Sequence, residues 1–485
     1  MPLGAFKATL LGAAGSGGES GWVVQPYSDT TGSSPTYWMY DMAIASDDSI
    51  WCTTLTSFSN NGAIWHINAD GTLAADNDQK VIDPTQSGST DTRGIAVAAN
   101  GDVITVGGGP INDGVARTGL LTTANTPGTL VQDWDNSLFN PVGANGYVYQ
   151  TPFRTKGTSG YGCWYYYDGS SKYISEMWRI SLSDGSEQSL GNSTDSWKIE
   201  GSYADTLYPV SAFACDDSSG DEWMYIQWRS SANLYVGIQG CKVGTTTTFR
   251  QGYLSASSTA SQTSNGGVCE ADANNLYMTW GDHGQGRLYM VKVAKSDMSI
   301  QWQREISIGS RTGGPDYIAP PVTDSSGNVY AVFNSRDTQQ FSSANNGSVH
   351  WAKWDSSGNI QTLDGTTLKT LTTPTASNSA YPMRAEISSD DNWLYICGAF
   401  SSGNRPFVAK LPTDGTGTDN STALTGNFPG DDLYYKNNWT HTESAGTSVA
   451  SGHGSGGTNS VSTYTGQVED HVAQANPGIY LDEVS

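Results

Sequence analysis

Residues 319–333 have the sequence APPVTDSSGNVYAVF, in which an apolar run, a turn of Asp, Ser, Gly and Asn, and a second apolar run follow one another. Asn and Gly tolerate the positive φ angles of tight turns, while Val, Tyr and Phe favour strands. This stretch therefore predicts a β-hairpin.

The same pattern recurs along the chain. Its copies begin at Met42, Gly94, Phe139, Ala212, Gly266, Ala319 and Arg384. The first turn centres near Asp48 and the seventh near Asp391, so successive copies are 57 residues apart on average. A four-stranded propeller blade takes about 40–50 residues, and loop insertions account for the remainder.

A second half-repeat, with a D-G or S-G turn, follows most of these hairpins, as in AIWHINADGTL from Ala63 and FVAKLPTDGTG from Phe407. Two hairpins make a four-stranded antiparallel sheet whose two apolar faces must stack on neighbours. We therefore predict an all-β fold, a β-propeller of seven four-stranded antiparallel blades over residues 37–425. A β-sandwich is the alternative, but it does not predict a regular period.

Extended segments flank the predicted propeller. Residues 1–36 form an N-terminal arm for docking or blade closure, and residues 426–485 form a C-terminal extension rich in Gly, Ser and Thr. Either Trp22-Val23-Val24 or Leu433-Tyr434-Tyr435 is suited to complete a blade made by the other end of the chain, and a flexible tail is the alternative for each.

Two short segments resemble a known repeat. The run Asp324-Ser325-Ser326-Gly327-Asn328-Val329-Tyr330 and the strand Val408-Ala409-Lys410-Leu411 are similar to the bacterial-type β-propeller repeat family, whose units follow D-x-x-G-N-x-Y … F-V-A-K. The resemblance covers single blades and implies the fold alone, because such repeats occur in proteins of many functions.

Composition excludes several classes of partner. The chain of 485 residues carries 24 Lys and Arg against 47 Asp and Glu, a net charge of −23. A broad basic surface that binds nucleic acid or an anionic membrane is therefore not expected. No run approaches the ~18 apolar residues of a membrane-spanning helix, so membrane insertion is not expected either.

Motifs for catalysis or metal binding are not recognisable in the sequence. The six cysteines lack a C-x-x-C pair, and the six histidines lack H-E-x-x-H or H-x-H spacing. Nucleophile-elbow, Walker A and Rossmann patterns are also missing. We therefore expect no cofactor, no metal and no enzymatic activity, although two carboxylates brought together from distant blades for glycoside hydrolysis remain an open alternative.

Propeller geometry separates short turns from long loops. The turns built from D-D, N-G, S-G and D-G lie on one face, whereas the long and variable connections lie on the other, where binding is usually placed. Aromatic planes stack on sugar rings and Arg bridges to acidic groups. The binding candidates on the long-loop face are Tyr208, Tyr317, Tyr381, Trp164, Tyr166, Arg287, Arg336 and Arg405. The competing interpretation is that the tyrosines pack between blades and the arginines cap strand ends.

The opening sequence MPLGAFKA … LGAAG, residues 1–8 and 11–15, resembles the start of virion structural proteins of tailed bacteriophages, marine ones in particular. The resemblance implies an oligomeric particle component that docks on other virion proteins through its arm, where the candidates are Leu3, Phe6, Leu10 and Leu11. It also implies synthesis in the host cytoplasm and release by lysis. Residues 8–14 imitate the apolar core of a secretion signal but are short and diluted, so we expect no cleavage.

Together these observations predict a non-enzymatic structural component of a tailed-phage virion, in its tail, fibre or capsid, that acts in assembly and in attachment to a host surface polysaccharide. Two alternatives stay open. One is a secreted or surface bacterial propeller that binds glycans in the extracellular space, and the other is a polysaccharide lyase or hydrolase.

Overall fold

A computed structural model gives the three-dimensional structure of the chain. It describes residues 21–24, 38–55, 62–72, 74, 80–84, 91–110, 116–126, 129–139, 149–150, 153–167, 173–190, 196–200, 207–230, 235–245, 249–255, 263–282, 287–307, 315, 317–337, 346–372, 380–400, 405–416, 423–424, 433–435, 442–444, 450–452, 461–464 and 479–483. Over these residues the chain forms 36 strands and no helix, so the predicted all-β class is confirmed.

The strands follow one another along the chain. The first twelve are β1 (Trp22–Val24), β2 (Trp38–Ile44), β3 (Ile50–Leu55), β4 (Gly62–Ile67), β5 (Lys80–Pro84), β6 (Asp91–Val97), β7 (Val103–Pro110), β8 (Ala116–Thr126), β9 (Thr129–Phe139), β10 (Tyr149–Gln150), β11 (Arg154–Lys156) and β12 (Ser159–Tyr167). The next twelve are β13 (Tyr173–Ser181), β14 (Glu187–Gln188), β15 (Ser196–Glu200), β16 (Leu207–Asp216), β17 (Glu222–Ser230), β18 (Tyr235–Lys242), β19 (Phe249–Ser255), β20 (Thr263–Asp272), β21 (Asn275–Asp282), β22 (Arg287–Ala294), β23 (Ile300–Ser307) and β24 (Val322–Thr323). The last twelve are β25 (Val329–Asp337), β26 (Asn346–Trp354), β27 (Lys369–Thr372), β28 (Ala380–Ile387), β29 (Trp393–Phe400), β30 (Arg405–Pro412), β31 (Ala423–Leu424), β32 (Leu433–Tyr435), β33 (Thr442–Ser444), β34 (Ala450–Gly452), β35 (Val461–Tyr464) and β36 (Ile479–Glu483).

These strands form seven antiparallel sheets, which we number in chain order. Sheet 1 is β2-β3-β4-β5-β36, sheet 2 is β6-β7-β8-β9, sheet 3 is β10-β12-β13-β15-β35 with β11 and β14 beside β12 and β13, and sheet 4 is β16-β17-β18-β19-β34. Sheet 5 is β20-β21-β22-β23-β33, sheet 6 is β24-β25-β26-β27-β32-β31, and sheet 7 is β28-β29-β30-β1.

The hairpin turns have the residues that their geometry requires. In sheet 6 the Oδ1 atom of Asp324 accepts the N–H groups of Ser326 (3.1 Å) and Asn328 (2.9 Å), and Gly327 has a φ of 78°. An Asp side chain stabilises such a turn by bonding to backbone two residues on, and Gly takes positive φ without strain. The hairpin predicted for residues 319–333 is therefore confirmed as β24 and β25.

The third predicted hairpin falls mostly on residues outside the described ones, and its two described ends lie in different sheets. Phe139, where that copy begins, is the last residue of β9 in sheet 2. The first hairpin of sheet 3 is formed by β11 and β12, whose turn includes Gly157 with a φ of 58°. Most of residues 154–173, predicted as a long loop, are thus strand, because the aromatic run of β12 pairs along its whole length with β13.

The hydrophobic core lies between consecutive sheets. Six buried clusters each combine side chains of two neighbouring sheets: 1 with 2, 3 with 4, 4 with 5, 5 with 6, 6 with 7, and 7 with 1. In the last of these clusters Trp22 and Tyr395 of sheet 7 pack with Met42 and Trp65 of sheet 1. Sheets 2 and 3 meet where Phe153 lies against Gly94. The arrangement is therefore propeller-like, with each sheet packed on the next.

A cross-strand pair is repeated within three of these sheets. In sheets 5, 6 and 7 an aromatic ring of the second strand lies directly opposite a lysine of the third strand. The pairs are Tyr277 with Lys292, Tyr330 with Lys353, and Tyr395 with Lys410, with Nζ between 4.9 and 5.9 Å from the ring centroid. A cation over an aromatic face is stabilising. Tyr330 and Lys410, which lie in the two segments that carry the resemblance to a repeat, both take part in such pairs.

Both ends of the chain contribute strands to distant sheets. Strand β1 pairs with β30 in sheet 7, and the indole N–H of Trp22 donates to the carbonyl of Ala69 in sheet 1 (3.0 Å). Strand β32 pairs with β27 in sheet 6. The proposed limits of arm, propeller and extension stay a prediction. Among the described residues, no helix that is apolar and long enough to cross a membrane is found.

Candidate functional site

Four aromatic side chains meet where the first strands of sheets 1 and 7 begin. The Trp38 ring lies 5.7 Å from that of Tyr381, with the planes 7° apart, and 6.0 Å from that of Tyr317. Tyr317 and Tyr381 are 4.6 Å apart, and Tyr40 lies 6.5 Å from Trp38. All four are half-buried, so part of each ring is open to solvent. We call this group the aromatic cluster.

Local backbone features set the positions of these rings. The backbone N–H of Tyr317 donates to the side-chain oxygen of Asn334 (2.8 Å), which ties it to β25. At Gly398 a Cβ would lie 1.9 Å from the carbonyl oxygen of Tyr381, so only glycine allows β29 to approach β28 this closely. The ladder of sheet 1 is irregular between Met39 and Asp41, and such a bulge turns the intervening Tyr40 away from the regular alternation.

A cation lies at one side of the aromatic cluster. The guanidinium carbon of Arg93, in the first strand of sheet 2, is 4.9 Å from the centroid of the Tyr40 ring. Arg93 falls at the same kind of irregularity, between Thr92 and Gly94. Since the short turns of these sheets lie at the opposite strand ends, the cluster and Arg93 lie on the face where the long connections begin.

A buried carboxylate lies next to Tyr40 in sequence. Asp41 is fully buried, and its Oδ2 atom accepts the N–H groups of Ile95 (3.2 Å) and Phe153 (3.3 Å) from sheets 2 and 3. Arg154 of sheet 3 lies 3.4 Å from it, and Nε of Arg384 in sheet 7 lies 3.6 Å from Oδ1. One carboxyl group therefore joins four sheets, and we call these three charged residues the Asp41 hub.

The electrostatics of the Asp41 hub combine opposing effects. Burial raises the pKa of Asp41 to about 8, whereas the guanidinium of Arg384 and the N–H groups of Ile95 and Met42 act to lower it. Glu386 pairs with Arg384, is partly exposed, and adds to the increase. Because its oxygens accept bonds from groups of several sheets, Asp41 is placed to hold their strands together.

The structure places the remaining predicted binding residues apart from the aromatic cluster or leaves their side chains undescribed. Tyr208 lies in sheet 4 with Arg229 above its ring (4.8 Å), and Arg287 pairs with Glu305 of the adjacent strand (3.3 Å). Only backbone positions are described for the others: Trp164 opposite Glu176, Tyr166 opposite Ile174, Arg336 opposite Gly347, and Arg405 opposite Phe400. Leu3, Phe6, Leu10 and Leu11 lie outside the described residues.

Sequence reasoning did not find five residues of this region. They are Trp38 and Arg93 at the aromatic cluster, and Asp41, Arg154 and Arg384 of the Asp41 hub. A signal was present for two of them. Asp41 and Arg384 both stand immediately before the apolar run of their repeat, in D-M-A-I-A and R-A-E-I-S, so an alignment of the copies puts them at one position. The convergence of that position with Arg154 depends on the curvature of the sheet arrangement, which the sequence does not show.

The two described histidines, His66 and His350, have structural partners. The ring of His66 stacks on Trp51 with centroids 3.9 Å apart, and the buried Nδ1 of His350 lies 2.8 Å from the hydroxyl of Thr370. Within the described residues, no group of three or more His, Cys, Asp or Glu side chains is arranged to hold a metal ion.

No protein-family model matches the chain, and no curated protein matches it. Among solved structures it is similar to extracellular domains 1–2 of Drosophila semaphorin 1a, with 11% identity, 80% of this chain and 88% of that chain covered, and a TM-score of 0.41. The polysaccharide lyase Uly1 shares 9% identity over 83% of this chain and 94% of its own, with a TM-score of 0.39. A 6-phosphogluconolactonase-like protein from Bacteroides uniformis shares 11% identity over 76% and 92%, with a TM-score of 0.34. At this similarity, the activities of these proteins say nothing about the activity of this chain.

Proposed function

We propose that sheets 1–7 are the blades of a closed seven-bladed β-propeller. The support is the packing of each sheet on the next, including that of sheet 7 on sheet 1. Strand β1 is the fourth strand of sheet 7. Its residue Trp22 would join sheet 7 to sheet 1 and so close the ring. An electron cryomicroscopy map tests this architecture: seven radial blades support it, and a gap between sheets 7 and 1 contradicts it.

We further propose that the chain is a non-enzymatic structural component of a tailed-phage virion, and that it attaches to a polysaccharide of the host surface through the aromatic cluster. The observation that carries the attachment role is the group of four half-buried rings on the long-connection face. Stacked rings of this kind offer rigid apolar edges and phenolic hydroxyls together, which suits the mixed apolar and polar surface of a sugar ring.

Charge narrows the class of polysaccharide. The chain is strongly acidic, with a net charge of −23, so an anionic polymer is repelled by most of its surface. Arg93 places a guanidinium beside the Tyr40 ring, where it can bridge an acidic group on the sugar. We therefore favour a glycan that is largely neutral and carries isolated acidic groups.

Binding is tested with the Trp38→Ala variant. Loss of the ring that contacts all three tyrosines should weaken binding to host capsular polysaccharide or lipopolysaccharide by at least about tenfold, as at a central aromatic contact of an interface. Fluorescence titration or calorimetry with purified host polysaccharide measures this. The matched control is Trp393→Ala, another partly exposed indole, which lies beside the short turn of sheet 7. Equal affinity of both variants and the wild type would exclude the aromatic cluster as the attachment site.

The structural and non-enzymatic parts of the proposal have separate tests. Mass spectrometry should find the chain in purified, density-banded particles, in a fixed ratio to the capsid protein. Incubation with the same polysaccharide should leave its chain length unchanged in size-exclusion chromatography. Depolymerisation would replace the attachment role with a lyase or hydrolase, and cleavage of residues near Ala14 in the mature protein would favour a secreted propeller.

A further inference from the structure

The C-terminal strands pair with the sheets in reverse order. Strand β32 adds to β27 of sheet 6, β33 to β23 of sheet 5, β34 to β19 of sheet 4, β35 to β15 of sheet 3, and β36 to β5 of sheet 1. Each of these pairings is antiparallel. While the chain builds the sheets from 1 to 7, its end runs back from 6 to 1.

The spacing of these strands agrees with a path around the outside. Strands β33, β34 and β35 begin 7, 6 and 9 positions after the preceding strand ends, and each moves to the next sheet. Strand β36 begins 15 positions after β35 ends, and this step passes from sheet 3 to sheet 1. The connection that skips one sheet is thus about twice as long as those that do not.

The strands that receive these additions are otherwise sheet edges. An edge strand presents a row of backbone N–H and C=O groups that can pair with another chain, and native proteins block such edges. Here β15, β19 and β23 contain the aromatic residues Trp197, Tyr253 and Trp302, which are enriched in strands. Strands β32 to β36 cover the receiving edges with three to five residues each.

We propose that strands β32 to β36 form a belt that binds the sheet edges of its own chain in reverse order and keeps those edges from pairing with a second copy of the chain. Each belt strand is short and contributes few hydrogen bonds to its sheet. The belt therefore stays bound because five strands pair at once. Release of one belt strand exposes the outer strand of its sheet. That strand can then pair with the same strand of a second copy of the chain. The belt therefore controls self-association.

The order of the belt is tested by disulfide cross-linking in the full-length chain. Residues directly opposite each other in an antiparallel pair have Cα atoms about 4.5–5.5 Å apart, within the reach of a disulfide. The matched pairs are Ser307→Cys with Thr442→Cys, and Ser255→Cys with Ala450→Cys. Under mild oxidation both should form intrachain disulfides. The exchanged pairs, Ser307→Cys with Ala450→Cys and Ser255→Cys with Thr442→Cys, should not. Equal cross-linking of matched and exchanged pairs would overturn the reverse-order belt.

Control of self-association is tested with proline variants. Successive N–H groups of a strand point in opposite directions, so replacing two neighbours removes one donor that faces the edge. We expect Glu443→Pro with Ser444→Pro, and Ser462→Pro with Thr463→Pro, to raise the self-associated fraction in light scattering at least severalfold over the wild type. The controls carry alanine at the same positions and should match the wild type. Unchanged light scattering of the proline variants, with the circular dichroism of the wild type, would contradict the protective role.

Discussion

Asp41 and Ser211 occupy equivalent positions in sheets 1 and 4 and perform the same task with different chemistry. Each is the first buried residue after the irregularity in the first strand, and each accepts a backbone N–H of the next sheet. Asp41 accepts that of Ile95 at 3.2 Å, and Ser211 accepts that of Val268 at 2.9 Å. Only at Asp41 do two arginines converge on the acceptor.

Glycines fill the same position in two other sheets. A Cβ on Gly94 would lie 2.7 Å from the Cβ of Phe153, and one on Gly267 would lie 2.5 Å from the Cα of Pro320. The residue at this position therefore lies close to the next sheet, whether it is Asp, Ser or Gly. This position in the first strand therefore sets how closely two sheets approach, and the side chain at the position sets how strongly the sheets are bound.

The strongest test of the comparison is Asp41→Ala. The substitution removes the common acceptor of Arg154, Arg384 and three backbone N–H groups from a fully buried position. A buried donor that loses its partner costs about 1–3 kcal/mol, and more when the donor is charged, so we expect the unfolding free energy to fall by at least about 3 kcal/mol. Denaturant titration measures it.

Arg154→Met is the internal control for Asp41→Ala. Arg154 is partly exposed and also donates to the carbonyl of Phe153, so its loss should cost clearly less than that of Asp41. An Asp41→Ala variant as stable as the wild type would mean that the Asp41 hub does not hold the four sheets together.

The next test uses the pH dependence of stability. Because the pKa of Asp41 is about 8 in the folded chain and about 3.9 in an unfolded one, the folded state holds its proton more tightly between these values. Stability from this group is therefore present at low pH and declines as the pH rises from about 4 to 8. The melting temperature of the wild type should fall from pH 5 to pH 8 by several degrees more than that of Asp41→Asn.

Arg154, Arg384 and Glu386 are the charged groups around Asp41, and all three are present in both proteins. Histidines titrate in the same interval, and they too are shared by the wild type and Asp41→Asn. Any difference between the two curves therefore belongs to Asp41. Parallel curves would show that Asp41 is already ionised at pH 5 in the folded chain, as it is in the unfolded one.

The sequence was sufficient for the fold class because the information is local. In residues 324–330, Asp and Gly specify the turn, and the flanking Val and Tyr specify strands that are buried on both faces. The same reasoning did not locate the first hairpin of sheet 3, whose turn includes Gly157. The order of the C-terminal strands was also not predictable, because strands of three to five residues carry too little pattern.

The candidate site was predictable only in part. Tyr317 precedes the first strand of sheet 6 and Tyr381 is the second residue of β28, each with a proline within three residues, and both were predicted on the long-loop face. Tyr208 shares the pattern but lies with Arg229, since sheet 4 is remote from the junction of sheets 6, 7 and 1. Contact between Tyr317, Tyr381 and Trp38 depends on residues far apart in the chain, and a packing role and a binding role use the same residue types.

Ser211→Ala should have the smallest effect of the series. It removes one neutral acceptor, and the N–H of Val268 loses its bond to the Oγ atom; a single such bond contributes about 1 kcal/mol. Denaturant titration should therefore show a decrease near that value, several times smaller than the one for Asp41→Ala. Ser219→Ala, at the exposed turn of the same sheet, is the control and should lie within about 0.5 kcal/mol of the wild type. If Ser211→Ala cost as much as Asp41→Ala, the two arginines would add nothing, and the close approach of the sheets alone would explain the strength of both junctions.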